Sequence, residues 1–238
     1  MASLSPVPRT TKLALEELLR ARRLQAELPP LRGAPPQRVR LPTGIGALDS
    51  LLGGGLPRGQ LSEVHGPASS GRTGVLLGLL ARTTRAGALA AWVDPGDRFD
   101  PATAAEAGAD LERLLWLRGL PARGLPEALA AVSTLVGSGL FELVVLDLLG
   151  VPASDVRRLP AQSFVRLQRL VEPGATALVL LAGAHTAASP GGVSLALERQ
   201  SARFSGQPGP GRLLRGLRCA ATTGRHVPQQ AAFDLHAL

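Results

Sequence analysis

Apolar positions follow one rhythm before residue 41 and another after it. From Thr11 to Leu28 the period is helical: Ala14, Leu18, Ala21 and Leu28 lie near one face, and Glu16, Glu17, Arg20 and Arg23 lie on the other. Glu16 and Arg20 form a favourable i,i+4 pair. PPLRGAPPQRVR, Pro29–Arg40, cannot continue that helix, because its prolines lack the N–H the helix needs. Residues 1–40 are therefore expected to form a helix on a proline-rich tether, preceded by disorder over residues 1–10. The helix face carrying Leu18 and Leu28 needs a cover, either the chain's own core or a partner.

From residue 41 to 238 the pattern alternates between strand and helix and is expected to form one core domain. LSEV reads as a strand, and the apolar segment Val75–Leu80 as a helix running to about Arg85. Strands are expected at Ala88–Asp94, Leu114–Leu117, Phe141–Asp147 and Ala175–Gly183, and helices at Pro101–Ala107, Pro126–Val136 and Pro160–Val171. LVVL and ALVLL are continuous apolar runs, as in strands buried on both faces, so the fold class is α/β with a mainly parallel sheet covered by helices. The tail changes character: Arg203–Ser205, Arg212–Ala221 and Ala231–His236 read as strands joined by Gly/Pro turns, an antiparallel edge extension.

The chain carries a net charge of +8, and Lys12 is its single lysine. A polyanionic partner explains this balance, and so does a GC-rich genome that writes arginine for lysine. Cys219 is the one cysteine, so no intramolecular disulfide framework exists; a buried thiol in a reducing cytoplasm is expected. No apolar run reaches the ~20 residues of a membrane span, and the N-terminus lacks the order of a signal peptide, so no membrane partner is expected.

GPASSGRT, Gly66–Thr73, has the spacing of a phosphate-binding loop, G-x-x-x-x-G-K-[ST], with Arg72 at the lysine position. It stands between an expected strand and an expected helix, where free backbone N–H groups can hold phosphate. The nucleotide-binding candidates are Gly66, Ser69, Ser70, Gly71, Arg72 and Thr73, joined by Asp147, where an apolar strand ends in an acid able to reach magnesium through water. LPTGIGALDSLLGGGLPRGQLSEVHGPASSGRT, WVDPGDRFDPATAAEAGADLERLLWLRG and FELVVLD together resemble the RecA recombinase family, and the likeness runs with gaps from Thr43 to about Leu235. GGVSLALERQSARFS resembles the helix and strand after that family's second DNA-binding loop, and VPQQAAFDL its last core strand. Nothing resembles the family's C-terminal domain.

The resemblance implies ATP with magnesium as cofactor, and the departures fall on its chemistry. Arginine keeps the charge at 72 but not the compact ammonium. The family's catalytic glutamate falls at Gly96, with Asp97 beside it; its adenine-stacking aromatic falls at Thr103; its phosphate-sensing glutamine falls at Gly183. A general base contributes ~10²–10⁴-fold to rate, so the expectation is nucleotide binding without efficient hydrolysis, no catalytic residue, and a chain that is not an enzyme. No resident metal site is read. The first DNA loop, LLGVPASDVRRLP, is short; the second, Gly183–Gly192, has no basic residue, and His185 in it reads as a solvated histidine. Arg157, Arg158, Arg166 and Arg169 could form a phosphate-contacting strip for single-stranded DNA, or a solvated helix face.

Within the RecA family the chain is most similar to the ImuA branch of SOS-mutagenesis proteins. That implies an accessory protein that binds RecA and an error-prone, Y-family-like polymerase subunit in translesion mutagenesis. Two alternatives stay open: an active DNA-dependent ATPase of recombinational repair, and a RecA-like regulatory ATPase outside repair.

Overall fold

The computed structural model describes residues 39–119, 124–160, 162–187, 192–207, 209, 211–223 and 228–236. The helix expected over Thr11–Leu28, with Leu18 and Leu28, lies outside the described residues, as does most of the Pro29–Arg40 tether.

A short antiparallel ladder, β1 (Arg40–Leu41) with β2 (Leu56–Pro57), opens the described chain. The intervening α1 (Gly46–Leu51) was not anticipated from the sequence. It is set up by Asp49, whose carboxylate accepts the Thr43 N–H at 2.7 Å, the Thr43 hydroxyl at 2.8 Å and the Gly44 N–H at 3.2 Å. One acid thus shapes the whole TGIGALD turn.

The parallel centre of the sheet comprises β3 (Gln60–His65), β4 (Ala90–Asp94), β5 (Leu114–Arg118), β6 (Leu143–Asp147) and β7 (Ala177–Ala182). Helices α2 (Arg72–Arg85), α3 (Pro101–Glu106), α4 (Leu125–Ser138), α5 (Ala153–Arg157) and α6 (Gln162–Val171) connect them. Successive strand residues point to opposite faces, so each apolar run feeds two cores. Val64, Trp92, Val145, Val179 and Leu181 meet α1, α2 and α3 on one face. Leu61, Val93, Val144, Leu146 and Leu180 meet α4 and α6 on the other. A sheet covered this way is the expected α/β core with its parallel strands.

The remaining strands are β8 (Ser194–Ser205), β9 (Leu213–Thr223) and β10 (Gln229–His236), giving the order β10-β9-β8-β3-β7-β6-β4-β5. The antiparallel edge is as expected, but the segment from Ser194 is strand throughout, where a helix followed by a strand was expected. Leu195 and Leu197 alternate into the core, and the edge of β3 offers its free backbone groups to Ser194–Ala196. A period of two together with a waiting sheet edge outweighs helix propensity. Among the described residues no helix is long and apolar enough to cross a membrane.

Candidate nucleotide site

The loop Gly66–Thr73 leaves the end of β3 and enters α2, as its spacing requires. Two left-handed residues turn it: Ser69 at φ 61° and Gly71 at φ 87°. Gly71 is also sterically confined. A Cβ there would stand 2.6 Å from Leu235 Cδ1 and 2.8 Å from Cys219 Sγ, so β9 and β10 buttress the loop from behind. Cys219 is buried, and that burial pushes its thiol up, as expected of a structural thiol. The N–H groups of Ser69, Gly71, Arg72 and Thr73 find no acceptor among the described residues, and the Ser70 hydroxyl is buried without a partner. Free donors at the start of a helix form an anion cradle.

Arg72 folds back over this loop. Its Nη1 donates to the Gly66 carbonyl at 2.6 Å and to the Pro67 carbonyl. Burial lowers the guanidinium's pKa, and the nearby Asp147 opposes that shift. Thr73 is exposed at the first turn of α2.

Asp147 closes β6 with 2% of its surface exposed. The Leu149 N–H donates to one carboxylate oxygen at 2.8 Å, and Trp92 Nε1 to the other at 3.3 Å. Burial pushes this carboxyl up to about 7, and Asp94 adds to the rise; Leu149, Trp92 and Arg72 pull the other way. β6, which carries Asp147, is not adjacent to the loop strand β3. β7 lies between, and Leu181 is in register with both Val64 and Asp147. All six residues of β7 are buried, which the centre of the sheet requires. Asp147 still interacts with Arg72, because the strands end level.

The positions that align with the family's catalytic groups differ in the space around them. Gly96 is closed: a Cβ would lie 2.1 Å from the Leu149 carbonyl oxygen, so backbone fills the place of a side chain. Gly183 is open, with nothing within 4 Å of its Cβ position. Asp97, at φ 52°, is held by Arg118 through two bonds of 3.0 Å, and Arg118 in turn lies 4.6 Å over the Trp116 ring. That ion pair raises the Arg118 pKa. Asp94 accepts from the Arg98 N–H at 2.9 Å, the Phe99 N–H at 2.8 Å and Trp116 Nε1 at 3.4 Å. Thr103 belongs to the α3 cap, where Asp100 accepts its hydroxyl and its N–H and is held below the usual carboxylate range mainly by that hydroxyl.

Arg157 on α5, Arg158 at its C-terminal cap, and Arg166 and Arg169 on α6 are all exposed, and Arg158 pairs with Asp155 at 3.2 Å. The short first loop contains α5, which sequence reading missed. His185 is not simply solvated: its Nδ1 lies 2.7 Å from the buried Glu63 carboxylate. Trp92 and Asp94 were also missed as partners of the site, since both read as ordinary strand residues.

Comparison with known proteins agrees with this geometry. The chain is 42% identical over 131 residues to Protein RecA of Symbiobacterium thermophilum, covering 54% of this chain and 37% of that protein. It is 43% identical over 131 residues to Protein RecA of Paenarthrobacter aurescens, again 54% and 37%. With Protein RecA of Herpetosiphon aurantiacus it shares 36% over 156 residues, 59% of this chain and 43% of that one. The chain thus spans well under half the length of these curated relatives. The expectation that the chain is not an enzyme is corrected by these matches, since they are to proteins named RecA and RecA is a DNA-dependent ATPase. The RecA N-terminal domain model matches residues 35–170, more than half of the chain, and the chain belongs to the RecA family.

Proposed function

We propose that this chain is a slow ATPase of DNA repair and recombination, acting in the cytoplasm in the accessory role of the ImuA branch, beside RecA and an error-prone, Y-family-like polymerase subunit. The observation that carries the nucleotide reading is the cradle itself: N–H groups of Ser69, Gly71, Arg72 and Thr73 unpaired among the described residues and, two strands away, a buried acid that interacts with Arg72. The donor set fits a magnesium–ATP complex. Ser69, Ser70, Gly71 and Arg72 would hold phosphate oxygens, Thr73 would offer its hydroxyl to the magnesium ion, and Asp147 would reach it through water. Bound magnesium–ATP supplies the electrophilic phosphorus and neutralises its charge.

The chain's own residues then bind and orient. Arg72 would exchange the Gly66 and Pro67 carbonyls for phosphate oxygens, a trade of neutral acceptors for charged ones that favours the bound state. Asp147 would face the ion as a carboxylate. With Asp94 and Asp97 engaged elsewhere and Gly96 closed, no carboxylate among the described residues is placed to activate the water. That costs ~10²–10⁴-fold in rate but leaves positioning and charge stabilisation intact. Arg157, Arg166 and Arg169, exposed beside the Arg158–Asp155 pair, supply a surface for single-stranded DNA.

Phosphate release measured with and without single-stranded DNA tests the enzyme. Turnover above background, stimulated by DNA and lost in Asp147→Ala, is expected; background release under all conditions would refute it. Affinity capture with RecA and with a Y-family-like polymerase subunit tests the accessory role, and failure to retain either partner would sink it.

A further inference from the structure

We propose that Glu63, His65 and His185 form a binding site for a zinc-like divalent transition-metal ion at the C-terminal end of β3, independent of the nucleotide reading. Glu63 and His65 are two apart on β3 and so share a face of the sheet. His185 comes to them from the segment after β7, the strand beside β3. One ligand atom from each of the three residues falls within a group 4.8 Å across.

Glu63 is the anchor. Its side chain is fully buried, and one oxygen accepts the Thr186 N–H at 2.6 Å and the Ala187 N–H at 3.1 Å, which fixes the carboxylate plane. The other oxygen, Oε2, is buried and accepts no hydrogen bond from the described residues. It faces His185 Nδ1 at 2.7 Å, out of hydrogen-bond alignment. A carboxylate out of water with an unused oxygen needs a positive partner, and among the described residues no arginine pairs with Glu63.

The imidazoles complete the ligand set. The His65 and His185 rings lie 5.4 Å apart, centroid to centroid, tilted by 52°, so they converge rather than stack. Ser194 Oγ stands 3.3 Å from His65 Nε2 and 3.4 Å from His185 Nδ1, a hydroxyl able to orient both rings. Two nitrogens and one carboxylate oxygen are the donors of zinc sites that keep a fourth position for water. Magnesium and calcium prefer all-oxygen sets. Tetrahedral bonds of ~2.0–2.1 Å place ligand atoms about 3.4 Å apart. Bringing the widest separation, up to 4.8 Å, in and the 2.7 Å Glu63–His185 separation out to that size takes small movements, and His185, with 55% of its side chain exposed, has the freedom to make them. A bound ion would clip the segment carrying His185 to the central strand, immediately before the phosphate loop.

The test is calorimetric titration of the metal-free full chain with zinc chloride, with cobalt(II) absorption as the spectroscopic readout. One equivalent of zinc and a visible cobalt band are expected, with no heat from magnesium chloride. His185→Ala and Glu63→Gln should each weaken zinc by at least the ~10-fold that even an outer partner of a metal site costs. Glutamine keeps an oxygen for the Thr186 and Ala187 N–H groups, and His185 is exposed, so neither variant should unfold; circular dichroism checks this. Cys219→Ser should bind as the parent does. Absence of zinc binding, or binding unchanged in His185→Ala, would overturn the proposal.

Discussion

The protonation state of Asp147 should be visible in the stability of the whole protein. Its carboxyl is displaced from 3.8 to about 7, chiefly by burial between β4 and β7. Below pH 3.8 folded and unfolded chains both hold the proton. Between 3.8 and 7 the unfolded chain releases it and the folded chain keeps it, so stability falls as pH rises; above 7 both are ionised and the penalty is constant. At about 1.36 kcal/mol per unit the full penalty is about 4 kcal/mol, and roughly 2–3 kcal/mol of it accrues between pH 5 and pH 8. Asp147→Asn retains the carbonyl acceptor and carries no titratable proton. Urea unfolding of parent and variant across that range, without nucleotide or magnesium, isolates the term as a difference of differences. The variant should gain on the parent by about 2–3 kcal/mol between pH 5 and pH 8. Parallel pH profiles would show that Asp147 titrates as an ordinary acid, and the account of its burial would be wrong.

Two substitutions probe the remaining chemistry. Gly96→Glu restores a carboxylate at the family's catalytic position, but its Cβ would meet the Leu149 carbonyl oxygen at 2.1 Å, and backbone cannot step aside as a flexible side chain can. A loss of about 1–3 kcal/mol on thermal or urea unfolding is expected, without faster ATP turnover; a variant as stable as the parent and faster at hydrolysis would refute the steric reading. Arg72→Lys removes a side chain that bridges the Gly66 and Pro67 carbonyls and substitutes a compact ammonium. Fluorescent ATP analogues should bind it more tightly than the parent, and unchanged or weaker binding would show that the Arg72 bridge does not compete with phosphate.

The local grammar of this chain was legible from its residues. Apolar runs such as LVVL and ALVLL marked buried parallel strands because nothing polar interrupts either face, and GPASSGRT marked the strand-to-helix turn because its glycines stand where backbone must approach phosphate. Where an element was expected, its bounds fall within a few residues of expectation through α6 and β7, while β1, β2, α1 and α5 had no counterpart in the sequence pattern. What the sequence could not carry was which elements become neighbours. The order that inserts β7 between β3 and β6 is set by crossovers, and Asp147 reads the same on either strand. Ser194–Ser205 becomes strand because the edge of β3 is there to pair with Ser194–Ala196 and β9 to pair with the residues that follow. Gly96 looked like a lost catalytic residue in the linear pattern; the fold shows that the Leu149 carbonyl occupies its side-chain space. His185 looked solvated because Glu63 is 122 positions away in a chain whose folding brings them to 2.7 Å. Periodicity is written into neighbouring residues, whereas burial, pKa and ligand geometry arise only when distant segments exclude water from one another.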